Sequence, residues 1–271
     1  MSRSLDDLLE KTLAIEESML EKIQRKNIKH NFTRLDELKK ELENKIPEKM
    51  IDTLNKGFYK AFQLIFTKGI GIIEKTFRED ELELAFRVND FRINQRPDKK
   101  SLRLLEKEIK KEQSFNTCVT LAEGISLGAI GIGLPDIPLF LGVLLKGIYE
   151  TAIGYGFNYK EEKEQILILK MITAALCTDE EIKKLNDSVE FWIVHMNESQ
   201  IIYDFEEEIQ KASIALSKAL LLSKFVQGFF VLGIVGGMVN PFVYHKIMKY
   251  VSLKYKKRYL IQKRLGIKNE R

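Results

Sequence analysis

EGISLGAIGIGLPDIPLFLGVLLKGIYETAIGYGF, running from Glu123 to Phe157, holds eight glycines and two of the chain's five prolines, and its only charged side chains are Glu123, Asp136, Lys146 and Glu150. Gly124, Gly128 and Ile132 fall on one i, i+4 row, with Ala129 and Gly133 on the next. Small residues on one stripe let two helix backbones approach closely, in lipid or in a soluble core. Inside a helix, glycine costs about 1 kcal/mol relative to alanine, so this density needs a packing reason. Gly133-Leu134-Pro135-Asp136 breaks the pattern. A residue before proline avoids the αR region, Asp136 suits an N-cap, and Pro138 suits the first turn that follows. The stretch therefore predicts a helical hairpin with its turn at 133–136. Its return helix runs from Ile137 to Ile153 and is closed near Gly154 and Gly156.

Outward from the hairpin the pattern stays helical. Leu5, Leu8, Leu9, Leu13, Met19 and Ile23 recur near a 3.6-residue period behind an acidic first turn, and Leu35, Leu38 and Leu42 mark a short second helix. Pro47 opens a third helix through Phe58, Phe62 and Phe66 towards Gly69 or Phe77. Residues 78–97 fit either period; helix is preferred, because a lone strand would have no partner in this chain. Arg96-Pro97-Asp98 is a turn, after which Leu102, Leu105 and Ile109 line the inner face of a charged helix. Beyond the hairpin, helices are expected through Ile166 to Leu176, after a capping box at Thr178 to Glu181, and from Ile201 to Leu222. The sum is an all-α, multi-helix bundle of about ten helices around the glycine-rich hairpin.

Composition narrows the setting. A chain of 271 residues, 45% hydrophobic and 31% charged, builds a real core and is neither disordered nor polytopic in a membrane. Cys118 and Cys177 form no close-spaced motif, which fits a reducing compartment, and Met1 to Arg25 lacks the apolar core of a signal peptide. With three histidines, a histidine-rich metal site is not expected, nor is a cofactor.

Phe225 to Tyr244, FVQGFFVLGIVGGMVNPFVY, carries no formal charge over twenty residues, the length of a membrane span. Gln227, four glycines and Asn240-Pro241 cut that run, so a span, a dip into the membrane and a dry core all stay open. Pro241 opens the last helix. Tyr244, Met248, Val251, Tyr255 and Tyr259 form its apolar-aromatic stripe. From His245 onward ten lysines and arginines face one acid, a net of +9, whereas the rest of the chain carries −4. Such a tail reads as a core stripe with a solvated basic face, as a helix held on anionic lipid, or as a phosphate-binding surface. With no nucleic-acid motif beside it, no nucleic-acid partner is expected.

The blocks Glu123-Gly124 to Pro138, Ile148-Tyr149-Glu150 and Tyr155-Gly156-Phe157, with Gly233, Val235-Gly236-Gly237, Asn240 and Tyr255 to Leu260 further on, resemble the EcsC family of bacterial proteins. The matching portion runs from about Lys45 to Arg264, leaving 1–44 as an added N-terminal helical pair before an EcsC-like helical domain over 45–271. The resemblance implies a cytoplasmic or membrane-associated accessory role, since the family's namesake is encoded beside an ABC transporter linked to protein secretion. It supplies no catalytic residues.

Two functional readings follow. In the first, a non-enzymatic accessory protein sits at the inner face of the cell membrane, peripheral or partly inserted. It meets an anionic membrane surface or a membrane protein through Gly128, Gly131, Gly133, Leu134, Pro135, Gly233, Gly236 and Gly237, with Lys256, Lys257 and Arg258 on the lipid side. The same glycine faces suit a second copy of the chain. In the second, a helical-bundle hydrolase, metal- or carboxylate-dependent, uses Glu123, Asp136, Glu150 and His245. For Glu150 the plainer role is partner to Lys146 four residues earlier.

Overall fold

The computed structural model describes residues 2–29, 48–112, 136–177, 181–226 and 241–266, and every regular element among them is helical. The chain is all-α. The expected short helix at Leu35–Leu42, the turn residues 133–135, Glu123, the capping residues Thr178 to Glu180, and Gly128, Gly131, Gly133, Leu134, Pro135, Gly233, Gly236 and Gly237 lie outside the described residues.

Helix α1 is Ser2–Lys29 and α2 is Glu48–Leu64. A π-helical turn, Ile65–Gly69, then leads into α3, Ile70–Glu74. Residues 79–95 form α4, Glu79–Gln95, which resolves their ambiguous period in favour of helix. Behind the turn at Arg96 to Asp98, α5 spans Lys99–Glu112, and the Asp98 carboxylate accepts the Ser101 backbone N–H at 2.8 Å as a helix cap does. That hydrogen bond comes first among the causes that hold the Asp98 carboxyl below its ordinary range.

The central helix, α6, is Asp136–Gly154. It ends on Gly156, whose φ of +82° only glycine adopts cheaply, with Phe157 N donating to Ala152 O and Gly156 N to Ile153 O, both at 2.8 Å. Gly154 has a different task. A Cβ there would stand 2.4 Å from Ile109 Cγ1, so the missing side chain is what lets α5 lie against α6. The helix expected over Ile137 to Ile153 is thus present, and the two glycines at its end divide packing from termination.

Three more helices follow: α7, Glu162–Leu176; α8, Ile182–His195; and α9, Phe205–Val226. The last starts four residues later than the apolar pattern suggested, because the Asp204 carboxylate accepts the Glu207 backbone N–H and sets the boundary there. The final helix, α10, is Pro241–Leu265 and opens on the expected proline.

One core runs through all of this. Phe58, Phe62, Phe140, Leu144, Ile148 and Ile168 are each essentially sealed from solvent, and burial of such a side chain contributes about 1.5–3 kcal/mol. Leu8 and Leu9 of α1 join the same core, so α1 is packed into the bundle. The directions of the two inner helices matter most. A Cβ on Gly147 would meet Tyr244 Oη at 2.5 Å, while Tyr155, just past α6, has its ring 5.9 Å from that of Tyr259. Gly147, in the second half of α6, meets the first turn of α10, and Tyr155 meets Tyr259 further along both, so α6 and α10 run parallel. Helix α1 runs against α10, with Asp6 on Arg264 and Glu16 on Lys257. Helix α7 does the same, with Glu164 on Arg258 and its last carbonyls on Lys246.

Candidate functional site

Two arrangements hold the chain's chemistry, both built on the inner helices. The first surrounds α10. Its apolar-aromatic stripe faces inward as the spacing predicts: Tyr244, Met248, Val251, Tyr255 and Tyr259 are all buried. The basic residues around the stripe turn inward as well. Lys254 is 1% exposed and bonds both Glu16 of α1 and Glu190 of α8. Lys257 reaches the same two carboxylates at 2.7 and 2.9 Å. Arg258 donates to both oxygens of Glu164 at 2.8 and 2.7 Å and lies 3.9 Å over the Phe157 ring, while the Tyr255 hydroxyl donates to Glu164 Oε1. Lys256 pairs with Glu106 at 2.7 Å, Lys263 with Asp90 at 2.6 Å, and Arg264 with Asp6.

The basic residues, for which the sequence leaves open a solvated face, a lipid contact and a phosphate-binding surface, are therefore caged by acids from α1, α4, α5, α7 and α8. Lys256, Lys257 and Arg258, placed by the sequence reading on the lipid side, face the protein. The reason is electrostatic: the −4 carried by the remaining chain supplies the partners, and a buried cation persists only when paired. Lys249 stays exposed. Burial pushes Glu190 up, yet Lys254 and Lys257 outweigh it and hold its carboxyl below the ordinary range. Burial pushes Lys257 down, and Glu16 and Glu190 outweigh it and raise the ammonium. Burial foremost, then Glu164, drives the Tyr255 phenol well up, so it stays a neutral donor.

Nothing in the +9 tail announces those acids. A signal did exist for one of them. Leu5, Leu9, Thr12 and Glu16 share a helical row, and Leu9, Thr12 and Glu16 are buried, so an acid on an apolar row marked Glu16 for pairing.

The second arrangement is a cavity of about 350 Å³ between α4, α5 and α6. Its walls include Phe77, Leu82, Phe86, Leu105 and Ile109, and Lys146 and Glu150 also line it. These two are the charged side chains of α6 beyond its first residue, and they form an ion pair at 2.5 Å, with Lys146 5% and Glu150 1% exposed. The plainer expectation for Glu150 is what the structure shows. Of the other polar candidates, Asp136 is the first residue of α6 and His245 lies exposed near the start of α10, beside the Tyr244 ring. No described group of three or more histidine, cysteine, aspartate or glutamate residues could hold a metal ion.

One described helical window, Ile137–Gly154, is long and apolar enough to cross a membrane, but 94% of it is buried inside the bundle. Its apolar surface is already covered by protein.

An all-helical bundle threaded by a buried apolar helix and a caged basic one is the class that fold and site define. The EcsC protein family model matches residues 9–260, and the chain belongs to that family. The match begins inside α1 and ends near the close of α10. Protein EcsC of Bacillus subtilis (strain 168) is 33% identical over 104 residues, which cover 37% of this chain and 44% of that protein, so the chain spans less than half the length of this curated relative. No solved structure matches the chain.

Proposed function

We propose that this is a membrane-associated accessory protein without a reaction of its own, meeting the inner face of the cell membrane, or a membrane protein in it, through its two glycine-rich apolar segments. The observation that carries the reading is the parallel course of α6 and α10. The segments ending at Pro135 and at Asn240 lead directly into the first turns of these two helices, so both join the bundle at one end. Phe242, in the first turn of α10, is 68% exposed there. An exposed large apolar side chain at the start of α10 suits contact with lipid or a membrane protein. An accessory role beside an ABC transporter or in protein secretion, implied by the family resemblance, belongs to the same reading.

The contact is apolar in this account, since Lys256, Lys257 and Arg258 are already neutralised. Binding to lipid vesicles is then nearly independent of salt, unlike binding through exposed cations. Sedimentation with vesicles of mixed zwitterionic and anionic lipid tests it. Leu134→Asp and Val235→Asp each weaken binding, and raising the salt does not. A chain that stays wholly in the supernatant with anionic vesicles at low salt overturns the proposal. The hydrolase reading has less behind it, because Glu150 is tied to Lys146 and His245 is exposed.

A further inference from the structure

Lys146 sits where a charge is costly. The rest of α6 from Ile137 to Gly154 is apolar or small except Glu150, Tyr149 and Thr151, and the ammonium is drawn almost wholly out of water. An ammonium has three N–H donors. Glu150 takes one, and the other two have no acceptor among the described residues. Leaving a charged donor unsatisfied in a protein interior costs more than a neutral hydrogen bond returns. These donors belong to a side chain that lines a cavity within the size range of ligand pockets, where an apolar wall of Phe77, Leu82, Phe86, Leu105 and Ile109 stands beside charged side chains.

The cavity's charge selects a sign. Lys75 and Arg78 from the connection before α4, Lys111 of α5 and Lys146 of α6 line it with three carboxylates, Glu81, Glu108 and Glu150. Arg78 pairs with Glu81 at 2.6 Å and Lys111 with Glu108 at 4.0 Å, all four well exposed, while exposed Lys75 has no acid partner among the described residues. The lining therefore keeps one positive charge in excess, and the exposed cations at its rim offset the repulsion Glu150 would exert on an entering anion.

We propose that this cavity binds a small amphipathic acid, its carboxylate taking the two remaining donors of Lys146 and its short aliphatic body lying against Phe77, Leu82, Phe86 and Leu105. The two carboxylate oxygens match the two donors, and the walls match the chain. The lining residues named here are described residues of α4, α5, α6 and the connection before α4, and none is among the residues proposed above to meet lipid.

Calorimetric titration of the full chain with octanoate tests it, with octanol and octylamine as neutral and cationic counterparts of the same length. Octanoate binds saturably at one site, and the two counterparts bind at least about tenfold more weakly, the loss expected when a charge-assisted hydrogen bond is removed. Ala85→Phe, which fills the cavity from α4 without touching a charge, weakens octanoate by at least a similar factor. So does the double replacement Lys146→Met, Glu150→Leu, which removes the pair together and leaves no lone buried charge to unfold the chain. Octylamine binding as tightly as octanoate, non-saturable octanoate binding, or unchanged affinity in both variants overturns the proposal. Vesicle sedimentation of Ala85→Phe separates this result from the membrane reading, which predicts binding like that of the parent chain.

Discussion

Helices α6 and α10 lie side by side, run the same way and each turn a face into the core, yet they are made of opposite material. From Ile137 to Gly154, α6 carries two formal charges, paired to each other; α10 carries a dense series of lysines and arginines, most of them paired to other helices. One is held by shape and apolar area, the other by a stripe of tyrosines plus a shell of acids. A segment's net charge therefore does not report its exposure. What reports it is whether the rest of the fold can bring acids to it.

The sharpest way to break this comparison is to remove the cation at the centre of the shell. Lys254→Met leaves Glu16 and Glu190 with Lys257 alone, and the loss of a buried partner costs about 3–5 kcal/mol. Urea denaturation should show a lower midpoint with an unchanged slope, and adding Glu190→Leu, which leaves Glu16 paired with Lys257, should recover part of the loss. On the α6 side a methyl group is the right probe. Gly154→Ala drives a Cβ into Ile109 and costs about 1–3 kcal/mol despite alanine's better helix propensity. Combined with Ile109→Ala it should be less harmful than the sum of the two, a coupling of about 0.5–3 kcal/mol in a double-mutant cycle.

Arg258→Lys keeps the charge but loses the planar stacking on Phe157 and the contact with both oxygens of Glu164. It should cost about 1–2 kcal/mol in the same assay. The shell also has a pH signature. Glu190 is lowered in the folded chain, so its contribution is complete above the ordinary value of 4.5 and is lost as pH falls through the lowered one. Lys257 is raised, so its contribution is complete below 10.5 and is lost as pH rises through the raised value. The double variant Glu190→Gln, Lys257→Met should lower the stability plateau between the two edges and make both edges shallower, with little change at the extremes of pH. At the small end, Arg78→Ala breaks an ion pair whose side chains are 80% and 59% exposed, and should change stability by no more than about 0.5 kcal/mol.

Much of the architecture was legible from local pattern. The helical reading of 79–95, the opening of α10 at Pro241, the inward stripe of Tyr244 to Tyr259 and the i, i+4 pair of Lys146 and Glu150 all follow from spacing within a turn or two of chain. The start of α9 was misplaced for a local reason, since the apolar pattern begins at Ile201 but the cap is Asp204. The division of work between Gly154 and Gly156 was not legible, because one depends on Ile109 from another helix and the other on a single backbone angle. The candidate cavity was half visible: its floor is an i, i+4 pair, but Lys75, Arg78 and Lys111 meet there only through the packing of α4 and α5 on α6.

By itself the sequence determined that this chain is helical, where most helices begin and end, and which face of each is apolar, because side-chain periodicity is a property of neighbours within a few residues. Only the tertiary structure decided where the charges go. Lys254 finds Glu16 across 238 residues and Lys263 finds Asp90 from a separate helix, and no local rule encodes such a meeting. Apolar burial needs any greasy surface, whereas a buried cation needs one particular carboxylate within hydrogen-bond reach, and that position is set by the whole bundle.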